Sequence, residues 1–126
     1  MPPRRRIDPL AGREAVRTWR DGGAEALPRE TLALAVRFTL DELAQAVPGH
    51  SCEVRVPPFG VVQCLVGPRH TRGTPPNVVE TDAQTWLALA VGRLTWLDAV
   101  ATGRLQASGD RADLSAVLPL KLFLAP

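Results

Sequence analysis

The sequence predicts a domain of mixed α+β class, and three observations predict it. Apolar residues recur at helical spacing up to about residue 46 and then alternate in "CEVRV"; a change of period from 3.6 to 2 marks a change from helix to strand. Further on, "TDAQTWLALAVG" and "TWLDAVATG" each open on capping residues and close on glycine, the punctuation of short helices. Between the second of these and an aliphatic C-terminus, "GRLQASGD" returns to period two inside a fence of glycines.

In chain order, residues 1–7 read as a flexible basic N-terminal arm and residues 8–126 as one domain. A first helix runs from about Pro9 to Trp19, with Asp8 as cap, Pro9 in the first turn and "DGG" as its end. Leu10, Ala15, Val16 and Trp19 lie close to one stripe, and Arg13, Arg17 and Arg20 make a solvated face. "LPRETLALAVRFTLDELAQAVPG" carries the strongest helix, about 28–46. Leu32, Ala35, Val36, Thr39 and Leu43 share its stripe, while Leu34, Phe38 and Leu40 lie off it, so this helix is dry on more than one side.

"CEVRV" (52–56) and "GVVQCLV" (60–66) then form a hairpin punctuated by "PPFG", with Cys52 and Cys64 opposite each other to within one register step. The long loop "GPRHTRGTPPN" leads to a third strand, "NVVE", at 77–80. Thr81 with Gln84 reads as a capping box for the next helix, which Gly92 stops. Thr95 caps another, with Asp98 in its first turn and Gly103 as its stop. The fenced strand covers about 104–108, and Asp110 or Asp113 caps a last helix from about Leu114, which Pro119 breaks or kinks. The leucines at 118, 120, 122 and 124 alternate in a way that fits helix and extended chain equally.

The totals bound the function. A chain of 126 residues, 45% hydrophobic and 22% charged, can build a core without disulfide or metal staples. The net charge of +2 is too small to argue for a polyanionic partner. "MPPRRRIDPLAG" has no apolar run behind its charges, and no stretch approaches the ~20 apolar residues of a membrane span. A cytoplasmic protein with reduced thiols and no stable membrane insertion is the expectation. GxSxG, Walker, dinucleotide and HExxH patterns are absent, so no catalytic residue, metal ligand or cofactor is assigned.

From Asn77 to Leu120, "NVVETDAQTWLALAVGRLTWLDAVATGRLQASGDRADLSAVLPL" resembles the sterol carrier protein family, the small non-specific lipid-transfer domains, in the manner of its short bacterial members. An acidic residue opens a helix, then follow a glycine, a second helix, Gly-basic-Leu, Gly-Asp and a leucine-bearing segment. The resemblance implies about five strands in one layer, covered on one face by about five helices. It also implies an apolar tunnel between them for a fatty acid, an acyl-CoA or a sterol-like molecule. "GPRHTRGTPP" is a longer and more basic connection than better-known members carry.

The residues themselves can supply such a tunnel. On one helix Trp86, Leu89 and Ala90 face one way and Leu87, Val91 and Leu94 another; on the next, Trp96, Ala99 and Val100 oppose Leu97 and Ala101. A helix that is dry on two sides has a second apolar neighbour, which is either protein or ligand. The candidate lining is Phe38, Trp86, Leu89, Ala90, Trp96, Leu97, Val100 and Leu118. His70 and Arg72, in a loop with Arg69 and Gly73, are the candidates for an anionic head group. His50, Cys52, Cys64 and His70 could make a metal site only on paper, and both cysteines read as buried packing. The rival readings are a nucleic-acid-associated or protein-interaction module using "PPRRR", with the tunnel closed by packing, and a small enzyme using Cys64 or His70.

Overall fold

The alternation in "CEVRV" becomes β1, Cys52–Val56, and it pairs antiparallel with β2, Gly60–Cys64. A computed structural model of the chain describes residues 3–22, 27–67 and 76–124. In it, β3 (Asn77–Thr81) runs parallel to the other side of β1, and β4 (Leu105–Ser108) pairs antiparallel with β3. The strand order is β2-β1-β3-β4. One face of the sheet is dry: Cys52, Val54, Val56, Cys64, Val79 and Leu105 are all buried. The alternate positions, including Glu53, Arg55, Glu80 and Gln106, point to the opposite face, where Arg55 Nε reaches Glu53 Oε2 at 2.5 Å.

The helices cover the dry face. α1 spans Pro9–Gly22 and packs along α2, Arg29–Ala46, which also lies over β2 and against α3, Ala83–Val91. α2 is dry on several sides, with Ala35, Val36, Phe38, Leu40, Leu43 and Ala44 all buried. The close approach of α1 depends on Gly12, because a Cβ there would fall inside the ring of Phe38. α3 (Ala83–Val91) ends at Gly92, whose φ of 86° is left-handed. α4 (Trp96–Ala101) is capped by Thr95, which accepts from Asp98 N at 3.1 Å, and is followed by Gly103 at φ 73°. Among the described residues no helix is long and apolar enough to cross a membrane.

Three expectations are corrected. The described residues hold four α-helices and four strands, fewer than the five of each that the resemblance implies. The helix expected from Leu114 is a single turn, with Val117 N and Leu118 N both bonded to Leu114 O and Asp113 accepting from Ser115 N. Pro119 has no N–H to continue it and disfavours helical backbone at Leu118. Leu120 is then buried, and a 3-10 turn follows at Lys121–Phe123. The cap of α3 is Asp82, not Thr81: Thr85 N and Oγ1 donate to the Asp82 carboxylate at 2.8 and 2.9 Å. Thr81 instead ends β3, and its hydroxyl donates to Arg104 O at 2.9 Å.

Asn77 ties the sheet's start together. Its Nδ2 donates to Ser51 O at 2.8 Å, and its Oδ1 accepts from Arg111 N at 2.8 Å. One buried amide thus joins the residue before β1, the first residue of β3 and the chain leaving β4. Asn77→Ala leaves both backbone groups without their partner, and should lower unfolding stability by roughly 1–3 kcal/mol in a denaturant titration.

Candidate functional site

The tunnel candidates separate into three places. Phe38, Trp86, Leu89 and Ala90 are 0–1% exposed and belong to one packed core. Trp96 and Leu118 are half-buried at its margin. Leu97 and Val100 are 76% and 46% exposed on the outer side of α4, so that helix is dry on one side only. The second apolar neighbour of α3 is protein: α2 on one side, the C-terminal segment on another, through Leu120 N to Ala90 O at 3.0 Å. His70 and Arg72 lie outside the described residues.

The open space is elsewhere. A cleft of about 710 Å³ lies between residues 3–6, the C-terminal half of α2 and strand β2. Its walls include Arg4, Arg5, Arg6, Asp41, Ala44, His50, Val61, Val62 and Gln63. A smaller cleft of about 300 Å³, toward the hairpin turn, shares Arg6, Asp41, Val61 and Val62 with it. Neither cleft is lined by any of the eight tunnel candidates.

The arm expected at residues 1–7 forms one wall of this space along its described part. Asp41 is only 6% exposed, and its Oδ2 accepts from the backbone N–H groups of Arg6 and Ile7 at 2.8 and 3.0 Å. Arg5 pairs with Glu42 at 3.1 Å, and Gln45 Nε2 donates to Pro3 O. On the opposite wall His50 Nδ1 meets Gln63 Oε1 at 2.7 Å. The sequence carried one signal of this arrangement: Asp41, an acid set among buried positions of a helix, requires a donor from elsewhere in the chain.

Of the four residues that could ligate a metal on paper, His50, Cys52 and Cys64 are described and His70 is not. Among the described residues no group of three or more His, Cys, Asp or Glu is placed to hold a metal ion. Cys52 and Cys64 are direct register partners, and both are free and buried. Ser51 N donates to Leu65 O at 3.1 Å, so by alternation the cysteines form a non-hydrogen-bonded pair, the kind whose side chains approach most closely. A hydrogen bond to Cys52, with burial added, pushes the Cys64 thiol far above its ordinary range. The same hydrogen bond holds the Cys52 thiol below its ordinary value, but both side chains are fully buried, so a general disulfide reagent at mildly alkaline pH should leave both unmodified in the folded protein and titrate both in denaturant. Rapid reaction of either one in the native state would contradict this packing.

A search of curated proteins finds no match to the chain. Residues 28–120 match the family described as bacterial SCP ortholog, a span that takes in α2, the whole sheet, α3 and α4. The fold, the order of its elements and this match agree: the chain belongs to that family of sterol-carrier-protein orthologues.

Proposed function

We propose that the protein is a non-catalytic carrier domain that shields an acyl chain or a sterol-like body from water. The observation that carries this reading is the apolar margin where the C-terminal segment meets the helices. Val91, Leu94, Trp96, Val117, Leu118 and Leu122 are only partly buried there, while Leu97 and Val100 stand exposed on α4. Among the described residues, one backbone hydrogen bond, Leu120 N to Ala90 O, joins residues 114–124 to the rest of the fold. Moving that segment aside breaks no strand ladder and no helix, and its cost is the withdrawal of Leu114 and Leu120 from the core, which a bound apolar ligand would offset by refilling the space. Family membership supports the carrier role.

A second reading has its own observation. Phe38, Trp86, Leu89 and Ala90 fill the core at 0–1% exposure, which favours an interaction domain whose interior is closed by packing. Titration with a neutral fluorescent lipid separates the two. The carrier reading expects saturable uptake, displacement by an unlabelled competitor, and a thermal stabilisation that grows with lipid concentration, about 2.7 kcal/mol at a hundredfold excess over Kd. Absence of displaceable uptake would leave the closed interaction domain.

A further inference from the structure

The cleft beside β2 has a charge balance that its own acids do not meet. Residues 3–6 bring three guanidinium groups to one wall. Arg5 is paired with Glu42. Among the described residues, Arg4 and Arg6 have no acidic side chain in ion-pair range, and the remaining acids at the cleft are already committed. Asp41 is occupied by two backbone N–H groups, and Glu53 is held by Arg55 at 2.5 Å. His50 lines the same space, with its Nδ1 2.7 Å from Gln63 Oε1. The backbone N–H groups leave the Asp41 charge in place, so Arg4, Arg5, Arg6 and Arg55 set against Asp41, Glu42 and Glu53 leave one positive charge in surplus, on a concave wall that focuses its field into the space it faces.

The wall is also built rather than draped. A nearly buried carboxylate fixes the backbone at Arg6 and Ile7, a side-chain amide fixes Pro3, and an ion pair fixes Arg5. Across from it lies β2, the edge strand of the sheet, which contributes Val61 and Val62, with Ala44 of α2 beside them. The volume of about 710 Å³ is that of a small-molecule site. The arm lies before the span that matches the family, so the family's shared core does not supply this wall.

We propose that this cleft binds an amphipathic anion, with a carboxylate or phosphate head held by Arg4, Arg6 and His50 and an aliphatic body laid along Val61, Val62 and Ala44. Guanidinium forks bind both kinds of head with charge-assisted hydrogen bonds. The site is distinct from the apolar margin under the C-terminal segment and does not rest on the carrier reading.

The test is a titration of the full chain with decanoate, decyl phosphate, decanol and inorganic phosphate, followed by backbone amide shifts and calorimetry. At least one of the two anionic amphiphiles should shift His50, Val61 and Gln63 and weaken as salt rises, and the one that binds identifies the head. Decanol and inorganic phosphate should leave those three residues unmoved. Arg4→Gln/Arg6→Gln removes two exposed side chains but keeps the backbone bonds to Asp41. It should weaken binding about tenfold or more, since a hydrogen bond to a charged group contributes roughly 1.5–3 kcal/mol. Arg13→Gln/Arg17→Gln, an equal charge change on the exposed face of α1, should have no effect.

Binding that is unchanged in Arg4→Gln/Arg6→Gln overturns the proposal, as does an anion that moves none of the cleft residues. Inorganic phosphate binding as tightly as decyl phosphate removes the apolar half of it. Uptake of neutral lipid, with neither anionic amphiphile moving the cleft residues, leaves the carrier reading standing without the cleft. Arginine-dependent anion binding without neutral uptake leaves the cleft standing without the carrier.

Discussion

A tryptophan at 1% exposure cannot leave its indole N–H without an acceptor, and the helical layer is arranged around that requirement. Trp86 Nε1 donates to the Thr39 hydroxyl at 2.8 Å, and that hydroxyl lies 2.9 Å from the carbonyls of Ala35 and Val36 in its own helix. The bond sets the rotation of α3 against α2. Trp19 repeats the device from α1, donating to Gln84 Oε1 at 2.8 Å. Arg93 stacks over the Trp19 ring and donates to Arg20 O at 2.6 Å, which pins the end of α1 to the chain just beyond α3. Two buried indoles therefore register three helices before any aliphatic packing is counted. The dry face of the sheet receives them as one preassembled surface.

That locking divides the molecule into a fixed part and a freer one. α1, α2 and α3 share polar bonds as well as core, and β1 and β3 lie beneath them in the middle of the sheet. α4 is different: only Ala99 is buried, and its outer side presents Leu97 and Val100. The C-terminal segment is different again: its polar ties to the other elements are few, Leu120 N and the approach of Arg20 to the Phe123 ring among them, and it is held chiefly by Leu114 and Leu120 in the core. Space for an apolar guest is cheapest to open where side chains are half-buried, because fewer dispersion contacts are broken there than in the close-packed interior.

Much of this was legible in the sequence for reasons that can be named. Strands β1 and β4 announced themselves by period two, and the hairpin register brought Cys52 opposite Cys64. Gly92 and Gly103 marked helix ends because the chain there adopts left-handed backbone. The cap of α3 was displaced by one residue because β3 extends through Thr81, and strand pairing, a long-range property, decided between two adjacent capping side chains. The run of leucines after Leu114 suggests a helix, but it does not outweigh the missing N–H of Pro119 and the restricted backbone of the residue before it, and only a turn forms. Helical spacing ranks the faces of α3 and α4 by polarity but does not say whether the neighbour of an apolar face is protein or ligand. Gly12 against Phe38, and the arm against Asp41, join residues far apart in sequence, and only the folded chain displays such pairs.

The two places where a guest could sit differ in what they ask of the protein. Beneath the C-terminal segment, a ligand gains apolar burial at ~25 cal/mol per Å² but must first displace side chains that already cover that surface. The net gain is the difference between ligand packing and self-packing, and the lost segment contacts are subtracted from it. In the cleft beside β2 the volume already exists, so binding requires only desolvation of Arg4, Arg6 and the anionic head. That cost is moderate for guanidinium, which is weakly hydrated and remains partly solvated in an open cleft. Preorganisation therefore favours the cleft for an anionic amphiphile, and apolar area favours the margin for a neutral one. The cleft lies at the β2 edge of the sheet and α4 at the β4 edge, so the two places would take separate ligands, and neither needs a permanently empty tunnel, which close packing would collapse.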